Sequence, residues 1–354
     1  MDQRPEYEAF RTELEKVAPG TPLREGLEYI LSARTGALIV IGDGDPVQDL
    51  CNGGFKIDTA FTPQRIFELA KMDGAIVLDA DVGRIRRANV HLVPDSDLPT
   101  TETGMRHRTA ERVSRQTGAL VISISQRRDV VSLYLGGQRI ILDDIEVVLA
   151  KANQALQTLQ RYRSRLDEVL ERLTVLEFDD TVTLADDTEA ISRFEMVRRV
   201  SREVTRYITQ LGSEGRLVRM QAEELTANVD EDYLLVIRDY ASDPGPRKAG
   251  SIRTALGKMS PDQLVEPGPV AQALSLPTDV QSAEDHIRPR GFRVLRRIPL
   301  LPASVIGRLV ERFGSIADLM RATVAELDEV DGVGARRAHA ISDGLVRMRG
   351  RLTN

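Results

Sequence analysis

The stretch TPQRIFELAKMDGAIVL, residues 62–78, decides the fold of the first part of the chain. Thr62 is a predicted helix cap and Pro63 occupies the first helical position, so a helix is expected to begin here. The apolar run Ala75–Leu78 then predicts a short buried strand. Asp73 lies in the turn between the two elements, which places one carboxylate at the junction of a helix and a strand.

The same alternation of strand and helix patterns continues over residues 1–142. Further strands are predicted at Ala37–Ile41, Arg86–Val93, Ala119–Ile124, Val130–Leu135 and Arg139–Leu142. Helices are predicted near Glu6–Val17, Pro22–Ala33, Pro63–Lys71 and Thr103–Gln116. Gly118 suits the cap that ends the last of these helices. The alternation predicts an α/β N-terminal domain with a mixed sheet flanked by helices.

Residues 143–288 are predicted to form an all-α spine. Apolar residues recur every three or four positions from Ile145 to Leu173, with a break near Arg163, which is typical of one long amphipathic helix. Further helices are predicted at Asp187–Leu211, Gly215–Thr226 and Asp230–Tyr240. A coiled coil is the alternative interpretation, although the repeat is short and irregular.

Charge is distributed unevenly along the 354 residues, whose net charge is −6. From His286 to Asn354 there are 13 Arg, no Lys and 7 acidic residues, so a basic segment follows an acidic body. This asymmetry is typical of a local nucleic-acid-binding module. The alternative is a solvated, arginine-rich helix surface.

The length of the chain predicts two or three domains.

Cysteine content and hydropathy indicate where the protein resides. The single cysteine, Cys51, excludes an intramolecular disulfide and a cysteine-based zinc site. No apolar run reaches the length of a membrane span, and the first residues do not resemble a signal peptide. These features predict a cytoplasmic protein without a membrane partner.

A second motif, TGMRHRTAE at residues 103–111, begins another predicted helix. Arg106, His107 and Arg108 place two guanidiniums and one imidazole near a helix N-terminus, where anions are favoured. With Asp73 as a metal ligand, this set suits a metal-bound triphosphate. Arg106 and Arg108 lie on different faces of a regular helix. Either the turn is therefore irregular, or one arginine serves the structure or a neighbouring protomer.

The pair Asp73-Gly74-Ala75 and Arg106-His107-Arg108 resembles the diadenylate cyclase domain family, although each tripeptide alone is an ordinary turn. The resemblance implies ATP as the substrate, Mg²⁺ or Mn²⁺ as the cofactor, and cyclic di-AMP with pyrophosphate as the products. The implied catalytic residues are Asp73, Arg106, His107 and Arg108. The implied ATP contacts are Gly74, Leu92, Gly104, Met105, Thr109, Ser125 and Arg128.

Two of these assignments leave alternatives open. Leu92 either packs near the adenine or belongs to the core of its strand. His107 either donates to a phosphate, contacts the metal or orients Asp73.

The stretch LDEVDGVGARRA, residues 327–338, is typical of a helix-hairpin-helix. Its glycines expose backbone N–H groups that can bind a DNA phosphate without reading the sequence. The predicted DNA-binding residues are Gly332, Val333, Gly334, Arg336 and Arg337, and Val333 is also expected to insert into the core. Residues 289–354 are thus predicted to form an all-α DNA-binding domain. The alternative is a helix–helix turn used only for packing.

The order of the two modules resembles the family of DNA integrity scanning proteins, which join a diadenylate cyclase to a DNA-binding module. This resemblance implies branched DNA as a partner and a homo-octamer built from face-to-face dimers. Two rival interpretations are a non-catalytic nucleotide-binding DNA scaffold and a nucleotidyltransferase that acts on DNA ends.

Overall fold

The computed structural model describes residues 12–126, 130–277, 279–280 and 282–352. The chain divides into two compact units. The N-terminal unit comprises Met1–Gln154 with Val204–Met220, and the helical unit comprises Ala155–Glu203 with Gln221–Asn354. The domain boundaries placed after residues 142 and 288 remain predictions.

A mixed sheet occupies the centre of the N-terminal unit. Its eight strands, counted over the described residues, are β1 (Ala37–Ile41), β2 (Cys51–Asn52), β3 (Phe55–Ala60), β4 (Ala75–Leu78), β5 (Arg84–Leu92), β6 (Leu120–Ser125), β7 (Val130–Leu135) and β8 (Gln138–Leu142). They follow the order β2-β5-β4-β1-β6-β7-β8, and β3 also pairs with β5. β1 and β4 run parallel, whereas the other pairs are antiparallel.

Helices flank this sheet. The described part of α1 covers residues 12–16, and the next helices are α2 (Pro22–Ser32), α3 (Asp45–Gln48), α4 (Pro63–Leu69) and α5 (Met105–Thr117). Thr62 Oγ1 accepts a hydrogen bond from the backbone N–H of Arg65 at 3.2 Å, which confirms the predicted cap of α4. Gly118 has a φ of 71° and ends α5, as predicted.

Strand β1 contributes to two apolar cores, because successive side chains of a strand point to opposite faces of a sheet. Ile39 packs in the core that includes residues of α2 and α4. Leu38 packs in the core that includes residues of α5. Both β1 and β4 are buried throughout. The predicted α/β class, a mixed sheet between helices, is thereby confirmed.

The sequence patterns did not indicate β2, β3 or α3. β2 and α3 are two and four residues long, which is too short for a periodic signal. β3 carries Lys56, Asp58 and Thr59 and is mostly exposed, so it lacks the apolar run that marked the central strands.

The remaining elements are helical, as predicted. They are α6 (Ile145–Asp179), α7 (Leu184–Leu211), α8 (Arg216–Thr226), α9 (Val229–Tyr240), α10 (Pro246–Lys258), α11 (Pro261–Val265), α12 (Pro267–Ala273), α13 (Phe292–Arg296), α14 (Ala303–Phe313), α15 (Ile316–Arg321), α16 (Val324–Asp328) and α17 (Gly334–Leu352). None of the described helices combines the length and the apolar character that a membrane crossing needs.

A buried ion pair lies within the helical unit. Arg293 in α13 pairs with Glu177 in α6, and each side chain is only 1% exposed. The hydroxyl of Tyr240 donates to Oε1 of Glu177 at 2.8 Å. The carboxylate of Asp239 accepts three backbone N–H groups at the beginning of α13, at 2.6 to 3.1 Å. These bonds fix the beginning of α13 against α6 and α9.

Candidate functional site

The two tripeptides meet in the folded chain. Asp73 lies in the turn before β4, and Arg106 is the second residue of α5. Nη2 of Arg106 donates to Oδ1 of Asp73 at 2.8 Å, and the Asp73 side chain is 95% exposed. A carboxylate has about four acceptor positions on two oxygens, so this one bond leaves capacity for a cation. The carboxylate and one guanidinium thus share one surface of the N-terminal unit.

Gly36 makes room for Arg106. A Cβ built on Gly36 would lie 2.4 Å from Nη1 of Arg106 and 3.2 Å from the carbonyl oxygen of Ile124. The guanidinium therefore lies over the backbone just before β1 and beside the end of β6. Sequence reasoning missed Gly36, because a glycine before a strand gives no signal beyond that of a turn. Ser125, a predicted ATP contact, follows Ile124 and is half-buried.

The backbone at Gly74 closely approaches β5. A Cβ at Gly74 would lie 2.3 Å from the carbonyl carbon of Asn89 and 2.5 Å from its Cα. Asn89 has a φ of 54°, and the β4–β5 register shifts between Ala75 and Val77. The glycine is thus required by packing against protein backbone. The close approach of Gly74 to a nucleotide remains a prediction.

The first turn of α5 presents a polar surface. Gly104 is the N-cap of α5 and makes no side-chain capping bond. Met105 is 84% exposed, Arg108 is exposed, and Thr109 is half-buried. The N–H groups of a first helical turn have no intrahelical acceptor and favour anions. The turn is regular, and only Arg106 of the two arginines makes a described ion pair with Asp73.

His107 contacts a buried tyrosine. Its Nδ1 lies 3.0 Å from the hydroxyl of Tyr134 in β7. That hydroxyl donates to Glu102 at 2.9 Å, and Arg139 donates to the same carboxylate oxygen at 2.9 Å. Burial, and then the hydrogen bond to Glu102, raise the pKa of Tyr134. Sequence reasoning missed this network, whose only signal was that a tyrosine hydroxyl in a buried strand needs a partner.

The two remaining predicted ATP contacts have different outcomes. Leu92 is buried in the core that includes residues of α5, which agrees with the alternative that it is a core residue of its strand. Its contact with adenine remains a prediction. Arg128 lies outside the described residues.

The predicted hairpin joins α16 and α17. Val333 is buried in the same core as Ala338 and Ile341, as predicted. Gly332 and Gly334 have φ values of 80° and 63°, a conformation that glycine adopts without steric cost. The turn is therefore held by its buried valine and shaped by its two glycines.

Two arginines brace this turn. Arg337 donates to the carbonyl oxygen of Gly332 at 2.6 Å. Arg308 in α14, which sequence reasoning missed, donates to the carbonyl oxygen of Asp331, also at 2.6 Å. Arg336 is exposed. The backbone of the hairpin thus accepts hydrogen bonds from two guanidinium groups.

Two family models match the chain. Residues 24–139 match the DAC family, described as DisA bacterial checkpoint controller nucleotide-binding. Residues 142–283 match the DisA bacterial checkpoint controller linker region. The match over residues 24–139 identifies a diadenylate cyclase domain, so the chain is an enzyme of that class.

Curated relatives match over nearly the whole chain. The DNA integrity scanning protein DisA of Symbiobacterium thermophilum is 53% identical over 95% of this chain and 95% of its own length. The proteins of the same name from Carboxydothermus hydrogenoformans and Streptomyces coelicolor are 51% and 46% identical, over 95% and 96% of this chain and 96% and 91% of their own lengths. The chain belongs to the family of the DNA integrity scanning protein DisA, which confirms the resemblance drawn from its motifs.

Proposed function

We propose that the N-terminal unit condenses two ATP molecules into cyclic di-AMP and releases two pyrophosphates. The 3′-hydroxyl of one ATP attacks the α-phosphorus of the other, the bond to pyrophosphate breaks, and a second such step closes the ring. The observation that carries the proposal is the 2.8 Å contact between Asp73 and Arg106, which unites the two motifs on an exposed surface. Such a reaction depends mainly on alignment and charge stabilisation.

Asp73 is the proposed ligand of Mg²⁺ or Mn²⁺. Among the described residues, no group of three or more His, Cys, Asp or Glu side chains is arranged to hold a metal. A single exposed carboxylate fits Mg²⁺, which usually keeps several waters and is held by one or two carboxylates together with substrate phosphates. When bound, the cation neutralises charge on the phosphate oxygens.

The other proposed residues bind and align the triphosphate. Arg106, Arg108 and the first turn of α5 supply positive charge and N–H donors for phosphate oxygens. His107 donates to a phosphate from its fixed position beside Tyr134. The proposed nucleotide contacts are Gly74, Leu92, Gly104, Met105, Thr109, Ser125 and Arg128.

Ring closure requires two ATP molecules facing each other, whereas one such site binds one ATP. We therefore propose a homo-oligomer in which sites pair across a two-fold axis, as an octamer of face-to-face dimers.

The proposed division of the chain into domains is a cyclase domain at 1–142, a spine at 143–288 and a DNA-binding domain at 289–354. The proposed use of ATP as the substrate and the presence of only one cysteine favour a cytoplasmic location for the protein.

Incubation with ATP and either Mg²⁺ or Mn²⁺, followed by mass analysis, tests the cyclase proposal. The expected products are cyclic di-AMP and pyrophosphate in a ratio of one to two. Recovery of unchanged ATP from protein that binds it would instead support the non-catalytic scaffold and overturn the proposal.

The Gly36→Ala substitution is expected to slow cyclic di-AMP synthesis about tenfold, because misplacing a charged group at the site weakens alignment. The new methyl group would lie 2.4 Å from Nη1 of Arg106, so the flexible arginine would move away from Asp73. The melting temperature should change by less than about 3 °C, since a flexible side chain can yield. Gly83→Ala is the matched control, because its Cβ would meet nothing closer than 3.7 Å. Equal rates for both variants would contradict this role of Gly36.

We also propose that the hairpin of the helical unit binds DNA phosphates, with a preference for branched DNA. The support is the pair of glycines with positive φ at the beginning of α17, the bracing arginines and the local basic charge. Gly332, Val333, Gly334, Arg336 and Arg337 are the proposed contact residues.

The Gly332→Ala substitution is expected to weaken DNA binding about tenfold. Alanine is strained at a φ of 80°, and its Cβ would lie 2.5 Å from Nη2 of Arg308, so it would also displace one of the two arginines that brace the turn. Gel shifts with a four-way junction and with a linear duplex measure the affinity. Gly307→Ala in α14, with no neighbouring atom within 4 Å of the new Cβ, is the control. Unchanged affinity for both DNA forms would refute the assignment of the hairpin.

A further inference from the structure

A continuous set of hydrogen bonds runs from His107 into the N-terminal unit. It passes from Nδ1 of His107 to the hydroxyl of Tyr134 at 3.0 Å and from that hydroxyl to Glu102 at 2.9 Å. Arg139 in β8 donates to the same oxygen of Glu102 at 2.9 Å and to Ser132 at 3.2 Å. These residues come from α5, β7, β8 and the loop before α5, so several elements hold one imidazole.

The chemistry of these groups sets the direction of the bonds. An ionised carboxylate only accepts hydrogen bonds, and a guanidinium only donates them. The Tyr134 hydroxyl therefore donates its single proton in the hydrogen bond to Glu102. The Tyr134 oxygen then accepts from Nδ1–H of His107, so Nε2 is the ring nitrogen that contacts the triphosphate. Nε2 donates to a phosphate oxygen when the ring is protonated and carries N–H on both nitrogens.

Burial makes this arrangement rigid. Tyr134 is fully buried, and the side chain of Glu102 is only 14% exposed, so water competes little for these bonds. A hydrogen bond that is shielded from water holds its partners in one geometry more firmly than an exposed one.

We propose that Tyr134, Glu102 and Arg139 hold the His107 ring in one orientation, with Nδ1 on Tyr134, for the contact of Nε2 with the triphosphate. The inference rests on the proposed function of His107. Tyr134 is a positioning residue, because it acts through His107 and does not touch the substrate.

The first test is the Tyr134→Phe substitution, which removes the hydroxyl and keeps the ring. The expected result is a fall in kcat of about tenfold with KM for ATP within about twofold, since partners that orient a functional imidazole typically have effects of this size. Tyr29→Phe is the matched control, because the Tyr29 hydroxyl also donates to a carboxylate, that of Glu25, on the exposed surface of α2. Wild-type kcat in Tyr134→Phe would overturn the proposal.

A double-mutant cycle tests whether the effect passes through His107. In a His107→Gln background, which lacks Nδ1, adding Tyr134→Phe should change the residual rate by no more than about twofold. The same tenfold loss in both backgrounds would show a general structural effect and overturn the inference. Full activity of His107→Gln alone would instead refute the proposed function of His107.

A milder variant separates positioning from loss of folding. Glu102→Gln keeps an acceptor oxygen for the Tyr134 hydroxyl, so we expect a loss of kcat of only about threefold and a folded protein by thermal melting. A loss larger than that of Tyr134→Phe, at an unchanged melting temperature, would contradict the proposed order of the bonds.

Discussion

The Asp73→Asn variant is expected to synthesise cyclic di-AMP about a thousandfold more slowly than the wild type, with either Mg²⁺ or Mn²⁺. Asparagine has the shape of aspartate and still offers an oxygen to Arg106. It lacks the negative charge that the proposed site uses to hold a divalent cation. The loss should therefore be one of catalysis and not of structure.

Folding should be unaffected, because the Asp73 side chain is 95% exposed and its single described ion pair is with a partly exposed arginine. Product formation by mass analysis and the melting temperature are the two measurements. Asp81→Asn, in the exposed turn between β4 and β5, is the matched control and should retain full activity. Full activity of Asp73→Asn with both metals would remove Asp73 from the proposed mechanism.

The Arg293→Met variant is expected to lower the free energy of unfolding of the helical unit by about 3–5 kcal/mol. Burial alone would lower the pKa of Arg293, but the nearby Glu177, Tyr240 and Asp239 raise it, so the guanidinium remains charged. Removing this cation leaves Glu177 buried without its partner. An uncompensated buried charge is far more costly than the loss of the pair as a whole.

Two comparisons make this prediction specific. Arg296→Met removes a neighbouring arginine of α13 whose pair with Glu231 is about half exposed, and it should cost less than about 1 kcal/mol. Adding Glu177→Gln to Arg293→Met should restore most of the stability, since Tyr240 can still donate to the amide oxygen. Urea unfolding followed by circular dichroism measures these differences. Equal losses for Arg293→Met and Arg296→Met would contradict the account.

The ion pair also bears on how the chain is divided. Glu177 belongs to the predicted spine and Arg293 to the predicted DNA-binding domain, yet both lie in one compact unit. The break in composition near residue 288 is a feature of the sequence. The packing across that position is a feature of the fold, and the sequence patterns gave no sign of it.

Local patterns determined the elements that carry the site. The apolar runs of β1 and β4, the cap at Thr62 and the glycine at the end of α5 are each defined within a few residues. Short-range sterics and burial act on such patterns directly, so the sequence alone predicted them. The two cyclase motifs and the hairpin were recognised in the same way, from contiguous residues.

Only the tertiary structure decided which side chains meet. Gly36 lies under Arg106, Tyr134 lies beside His107, and Arg293 pairs with Glu177. The last two contacts join residues 27 and 116 positions apart. Such contacts depend on the register of strands and the packing of helices. The pattern of apolar residues within one segment contains no information about which distant segment it will pack against. Sequence therefore determined the elements and the chemical groups of this protein, while the fold determined their partners.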